Sequence, residues 1–83
     1  MYFFYLLRCR DNSLYAGSTN DLKRRINEHN SVNSKASKYI KAHRPIRLVY
    51  FEKFRSPQKA MAREREVKKW KKEKKEELVK SSG

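Results

Sequence analysis

The sequence is poor in the residues that build several common kinds of site. Cys9 is the only cysteine in 83 residues, so no internal disulfide can form and a cysteine-based zinc site is out of reach. A lone thiol without a framework fits a reducing compartment, and the expected setting is cytoplasmic, nucleoid-associated if the source is prokaryotic. The two glycines, Gly17 and Gly83, are too few for a glycine-rich loop that cradles phosphates. No apolar run approaches the roughly 20 residues that span a bilayer, so no membrane partner is expected. Residues 1–7 are apolar but lack a basic flank and a small-residue cleavage site, so they read as a strand rather than a secretory signal. No repeat occurs at solenoid periods. Acidic residues are scarce, 9 against 22 Lys and Arg. Neither a pair of catalytic acids nor a Ser-His-Asp triad has support.

What the chain does have is positive charge, a formal +13, and enough apolar material (37%) for one small compact domain. A field of that sign on so small a body attracts polyanions, of which nucleic acid is the commonest. The patterning predicts an α+β fold. Residues 2–8 are aromatic and leucine-rich and end in the polar cluster Arg10-Asp11-Asn12-Ser13, a strand running into a turn. Residues 14–18 read as the return strand of a hairpin. An odd loop or a bulge would put Tyr5 and Tyr15 on one face, a two-residue turn on opposite faces; the same face is expected. Ser18, Thr19, Asn20 and Asp21 offer N-caps for a helix whose buried stripe is Leu22 and Ile26. Arg25 and His29 flank that stripe, whereas Lys23 and Arg24 face solvent. Residues 30–37 read as a loop and 38–43 as a short helix ended by Pro45. Residues 46–54 form a third strand, expected to pair with the first. Ser56-Pro57 opens a last helix expected to run to about Leu78, with Ala60, Glu64, Val67 and Lys71 inward and Glu66 outward. The Lys- and Glu-rich run 68–80 reads as a solvated helix end fraying into a tail, with residues 81–83 disordered. The order is strand, strand, helix, short helix, strand, helix: a three-stranded antiparallel sheet flanked by helices, in one domain over residues 1–80.

The polar residues placed on or beside inward faces are Tyr5, Tyr15, Arg25, His29 and Glu64. Each has an ordinary use. The tyrosines could be strand aromatics, His29 could complement a helix dipole, and Glu64 could be a buried partner for Arg25. Together they suit cleavage of a phosphodiester. An arginine neutralises charge on phosphoryl oxygens, a single glutamate holds a hydrated Mg²⁺, and a tyrosine or histidine activates water.

Tyr5-Leu6, then Tyr15-Ala16-Gly17, Asp21-Leu22-Lys23-Arg24-Arg25 and Glu28-His29-Asn30, follow in an order that closely resembles the GIY-YIG nuclease superfamily. The similarity is to its small stand-alone branch, akin to the nuclease module of excision-repair, intron-homing and structure-specific endonucleases. It continues through Arg44-Pro45-Ile46-Arg47-Leu48-Val49-Tyr50 and Glu64-Arg65-Glu66-Val67-Lys68-Lys69-Trp70. The resemblance implies catalytic roles for Tyr5, Tyr15, Arg25, His29 and Glu64: one tyrosine as general base, Arg25 on the scissile phosphate, His29 assisting proton transfer and Glu64 holding one Mg²⁺, or Mn²⁺ in its place. Gly17 is placed at the active site, and Gly17, Lys23 and Arg24 are expected to position phosphate or backbone. The motifs depart from the family pattern only at hydrophobic spacers, in Phe4-Tyr5-Leu6 and Tyr15-Ala16-Gly17. The implied activity is a DNA endonuclease, structure-specific and linked to repair or recombination, with a protein partner supplying specificity. The alternative is a nucleic-acid-binding module with weak or no catalysis; an RNA or ribosome-associated role is permitted by charge alone.

Overall fold

The computed structural model of the chain describes residues 1–30 and 46–81, without the side chains of His29 and Asn30. The loop expected over 30–37 beyond its first residue, and the short helix over 38–43, lie outside the described residues, as do residues 82–83. Strands β1 (Tyr2–Arg8) and β2 (Leu14–Thr19) form the hairpin. The Cys9 N–H donates to the Ser13 carbonyl at 2.9 Å, and the Asn12 N–H returns to the Cys9 carbonyl at 2.9 Å. Asn12 occupies the left-handed region, φ 72°. A three-residue loop ending in such a residue is a common hairpin connection, and asparagine tolerates that φ better than most. The odd loop sets the parity. Tyr5 lies opposite Gly17 and Leu7 opposite Tyr15, so both tyrosines and Gly17 share one face, as expected.

Strand β3 (Arg47–Phe54) pairs antiparallel with β1, and the sheet order is β2-β1-β3. A bulge at Val49 shifts the register: Leu6 faces Tyr50, but Leu7 faces Leu48. The extra residue lets Leu48 join the Tyr5 face while Val49 and Tyr50 both join the opposite one. The sheet is thereby buried on both sides. On one face Tyr5, Leu7, Cys9 and Ile46 pack with Tyr15, Leu22, Ile26 and Leu48; on the other Phe4, Leu6, Ala16 and Val67 pack with Tyr50, Phe54 and Trp70. Strand β1 is central, which is why its middle reads as an unbroken apolar run.

Helix α1 (Leu22–Asn30) covers the Tyr5 face through Leu22 and Ile26. Its N-cap is Asp21, whose Oδ1 accepts the Arg24 N–H at 3.1 Å. Helix α2 (Pro57–Lys68) covers the other face. Ser56 caps it, Oγ accepting the Lys59 N–H at 3.2 Å, with Pro57 at the first position.

The single last helix expected to Leu78 is not what forms. The Lys69 and Trp70 N–H groups bond three residues back, to the Glu66 and Val67 carbonyls, and the helix closes. A further helix, α3 (Lys72–Ser81), then folds back instead of fraying. Leu78 and Val79 gain a core only this way. Arg8 holds the turned-back helix by a two-pronged bond to Glu76 at 2.8 and 2.6 Å. The Arg63 guanidinium (5.1 Å) and the Lys74 ammonium (4.3 Å) each lie over the Trp70 ring. No glycine or proline marks this break. Lys71, expected inward beside Glu64, is exposed in the turn, whereas Ala60 and Val67 are buried and Glu66 faces solvent as predicted.

Candidate active site

The site forms around β2, an edge strand, so groups from both faces of the sheet can meet across its free edge. On the α1 face the Tyr5 ring lies directly over Gly17. A Cβ built on Gly17 would stand 2.4 Å from the Tyr5 Oη and 2.5 Å from its Cζ. Gly17 therefore contributes by the side chain it lacks. Its φ is negative, so close approach rather than backbone freedom requires glycine here. Tyr5 is 2% exposed, and burial pushes its phenol above the ordinary value, with the neighbouring Arg25 guanidinium pulling partly back. Arg25 gains in turn: contact with the Tyr5 phenol raises it further, and Glu28 lies 3.9 Å from its Nη1. Tyr15, half-buried on β2, interacts through space with Tyr5, Arg25 and Lys68.

On the α2 face, Glu64 projects to the same edge. Its Oε1 accepts the Ser18 hydroxyl at 2.7 Å and its Oε2 pairs with the Lys68 Nζ at 2.6 Å. Ser18 follows Gly17 directly in β2, so the two halves meet on adjacent residues of the edge strand. The structure thus brings Tyr5, Tyr15, Gly17, Arg25 and Glu64 together. It does not bring Lys23 and Arg24. Both are exposed on the outer side of α1, where Arg24 bonds Asn20 (3.3 Å) and pairs with Glu28 (3.4 Å). His29 belongs to α1, but its side chain lies outside the described residues.

Two members were not anticipated, Ser18 and Lys68. Lys68 stands four residues after Glu64, a spacing at which helical side chains meet, so it was readable. Ser18 was not, because its partner depends on where α2 crosses β2. Cys9 takes no part: it is buried, and burial pushes the thiol up, the opposite of an activated nucleophile. Tyr50, on the far face, bonds Glu52, which Arg63 also holds at 3.0 Å. Burial and Glu52 push that phenol up to about 12, so this trio braces β3 against α2.

Among the described residues no group of three or more His, Cys, Asp and Glu gathers to cage an ion. The donors present fit a different kind of metal binding. Mg²⁺ keeps most of its waters and takes one or two carboxylates, and Glu64 with the Ser18 hydroxyl beside it supplies hard oxygens. The Lys68 ammonium already places positive charge against Oε2.

Two phenols, a guanidinium and a carboxylate around one edge of a small sheet, in a strongly basic body, define a module suited to phosphodiester chemistry. The chain belongs to the GIY-YIG family, whose catalytic domain matches residues 1–77. This is a nuclease family, which implies a nucleic-acid substrate and, as a rule, a divalent metal. The chain is 47% identical over 75 residues to a UPF0213 protein of Bacillus pumilus, covering 90% of this chain and 74% of that one. It is 45% identical over 75 residues to the UPF0213 protein YazA of Bacillus subtilis, with the same two coverages of 90% and 74%. Among solved structures, the solution NMR structure of a UPF0213 protein from Bacillus halodurans superposes with a TM-score of 0.63 at 42% identity, covering all of this chain and 87% of that one.

Proposed function

We propose that the protein is a Mg²⁺-dependent DNA endonuclease that hydrolyses phosphodiester bonds at this edge. One observation supports the reading: Tyr5, beside Arg25, lies on Gly17 of β2, while Glu64 comes from the other face to the next residue, Ser18. Arg25 is 45% exposed at its side chain, so its guanidinium, steadied by the Tyr5 phenol, still offers N–H groups to a phosphoryl oxygen. Tyr5 is closed off from water, so it positions Arg25. Tyr15 is the reachable phenol and takes the part of general base for the attacking water, with His29 on α1 as a relay. Glu64 holds the ion, oriented by Ser18. The ion, when bound, supplies charge neutralisation at the phosphoryl group. In-line attack forms the bond from water oxygen to phosphorus and breaks the bond to the leaving oxygen, so positioning and electrostatics supply most of the rate. The excess of basic residues supplies sequence-independent affinity that weakens with salt. The lone cysteine suits work in a reducing, cytoplasmic setting. A structure-specific role in repair or recombination, with a protein partner choosing the substrate, is part of the same reading.

The test is a panel of linear, branched, flapped and single-stranded DNAs with and without Mg²⁺. Wild-type protein is expected to cut at least one, and Glu64→Ala and Arg25→Ala to lose about 10²–10³-fold in rate. Cleavage that survives either substitution in nuclease-free preparations refutes the assignment. Binding across the panel without cleavage establishes instead a binding module.

A further inference from the structure

Glu64 and Lys68 form an i,i+4 pair, and most such pairs are surface decoration. The chain contains one of that kind for comparison. Arg24 and Glu28 stand 3.4 Å apart with side chains 63% and 44% exposed. The Glu64–Lys68 pair differs in three respects. It is shorter, 2.6 Å, and Glu64 is only 19% exposed. The second carboxylate oxygen is held from another element, by Ser18 of β2. Finally, the Lys68 ammonium lies within electrostatic reach of Tyr15 across the edge.

We propose that Lys68 is the built-in counter-ion of the metal-binding carboxylate, occupying Glu64 in the metal-free protein and moving to the substrate phosphate when a divalent cation takes its place. The inference rests on the reading of Glu64 as the metal ligand. A half-buried carboxylate without a cation carries a desolvation penalty, and Lys68 removes it. A divalent ion held by Glu64 would make the ammonium redundant there, since the two cations repel. The lysine stem is half-exposed and flexible, so the head can leave without disturbing α2. A substrate phosphate bound by Arg25 at this edge is then the anion left for the ammonium. Lys68 then couples the two ligands. Substrate that accepts the ammonium favours metal on Glu64, and by linkage metal favours substrate. Lys68 thereby has two parts, competing with the ion in the free protein and binding phosphate in the complex.

The test uses the full chain and Mn²⁺ alone, followed by electron paramagnetic resonance without nucleic acid. Lys68→Gln is expected to bind Mn²⁺ about three- to tenfold more tightly than wild type, since it abolishes the competing ion pair. Lys68→Arg should retain the weaker, wild-type-like affinity. Selective acetylation read by mass spectrometry should show Lys68 becoming more reactive as Mn²⁺ is added, with exposed Lys72 as the unchanged reference. At saturating metal, Lys68→Gln should bind an uncleavable phosphorothioate duplex more weakly than wild type. Unchanged or weaker Mn²⁺ binding by Lys68→Gln, at an unaltered melting temperature, overturns the counter-ion role. Equal duplex affinity at saturating metal overturns the phosphate role. Mn²⁺ binding that survives Glu64→Gln refutes instead the underlying assignment of the metal ligand, so the two failures are distinct.

Discussion

Adding one methyl group at Gly17 should damage both stability and catalysis, and the structure says by how much. In Gly17→Ala the new Cβ would lie 2.4, 2.5 and 2.9 Å from the Tyr5 Oη, Cζ and Cε1, where ordinary contact begins at 3.4 Å. The ring would have to retreat by about 1 Å. It has nowhere to go: Tyr5 is 2% exposed, in a cluster with Leu7, Cys9 and Ile46 against which Leu22 and Ile26 pack. Overpacking of this kind destabilises by about 1–3 kcal/mol. In a domain of this size each kcal/mol is about 4–8 °C of melting temperature. The same movement shifts the phenol against Arg25, and a misplacement of about 1 Å in a positioned group lowers the rate by about 10²-fold. Thermal melts and single-turnover cleavage measure the two effects. Tyr5→Leu in the Gly17→Ala background deletes the clashing atoms, so it should recover stability without recovering cleavage. A Gly17→Ala protein with wild-type melting temperature and wild-type rate would refute the contact argument.

Acid should release α3 before the sheet unfolds. Arg8 holds the Glu76 carboxyl below its ordinary value of 4.5, so the unfolded chain binds that proton at higher pH than the folded one. The stability this bond supplies is present above that value and lost as pH falls below it. Methyl signals of Leu78 and Val79 should report the release, and Arg8→Ala should abolish the dependence. At the hairpin, Asn12→Ala forces an ordinary residue to φ 72° and should lower stability by about 1–2 kcal/mol, while Asn12→Gly should not; denaturant titration separates them. Cleavage should fall about 10²–10³-fold in Glu64→Ala, as assayed above, with the melting temperature reported alongside to exclude unfolding.

Much of this protein was legible before any coordinates. The aromatic and leucine-rich run in 2–8, the polar loop at 10–13, the Asp21 and Ser56 caps and the Leu22–Ile26 stripe are local signals, and each element appears where they place it. Helical periodicity also separates Arg25 from Arg24 and Glu64 from Glu66, since neighbouring helical residues point about 100° apart. The break at Lys69 was not legible. Every residue there is a competent helix former, and the turn exists because Leu78, Val79 and Glu76 find partners on the sheet. The same holds for the site's finer structure. Which residues stand near inward faces follows from periods along one chain, so the sequence by itself determined the three strands, the first helix, the start of the last one, and the candidates beside their inward faces. That Gly17 makes room for Tyr5 and that Ser18 holds Glu64 were decided only by the tertiary structure. Those contacts depend on strand register and on where α2 crosses β2, distances set between segments distant in sequence, which no local pattern encodes.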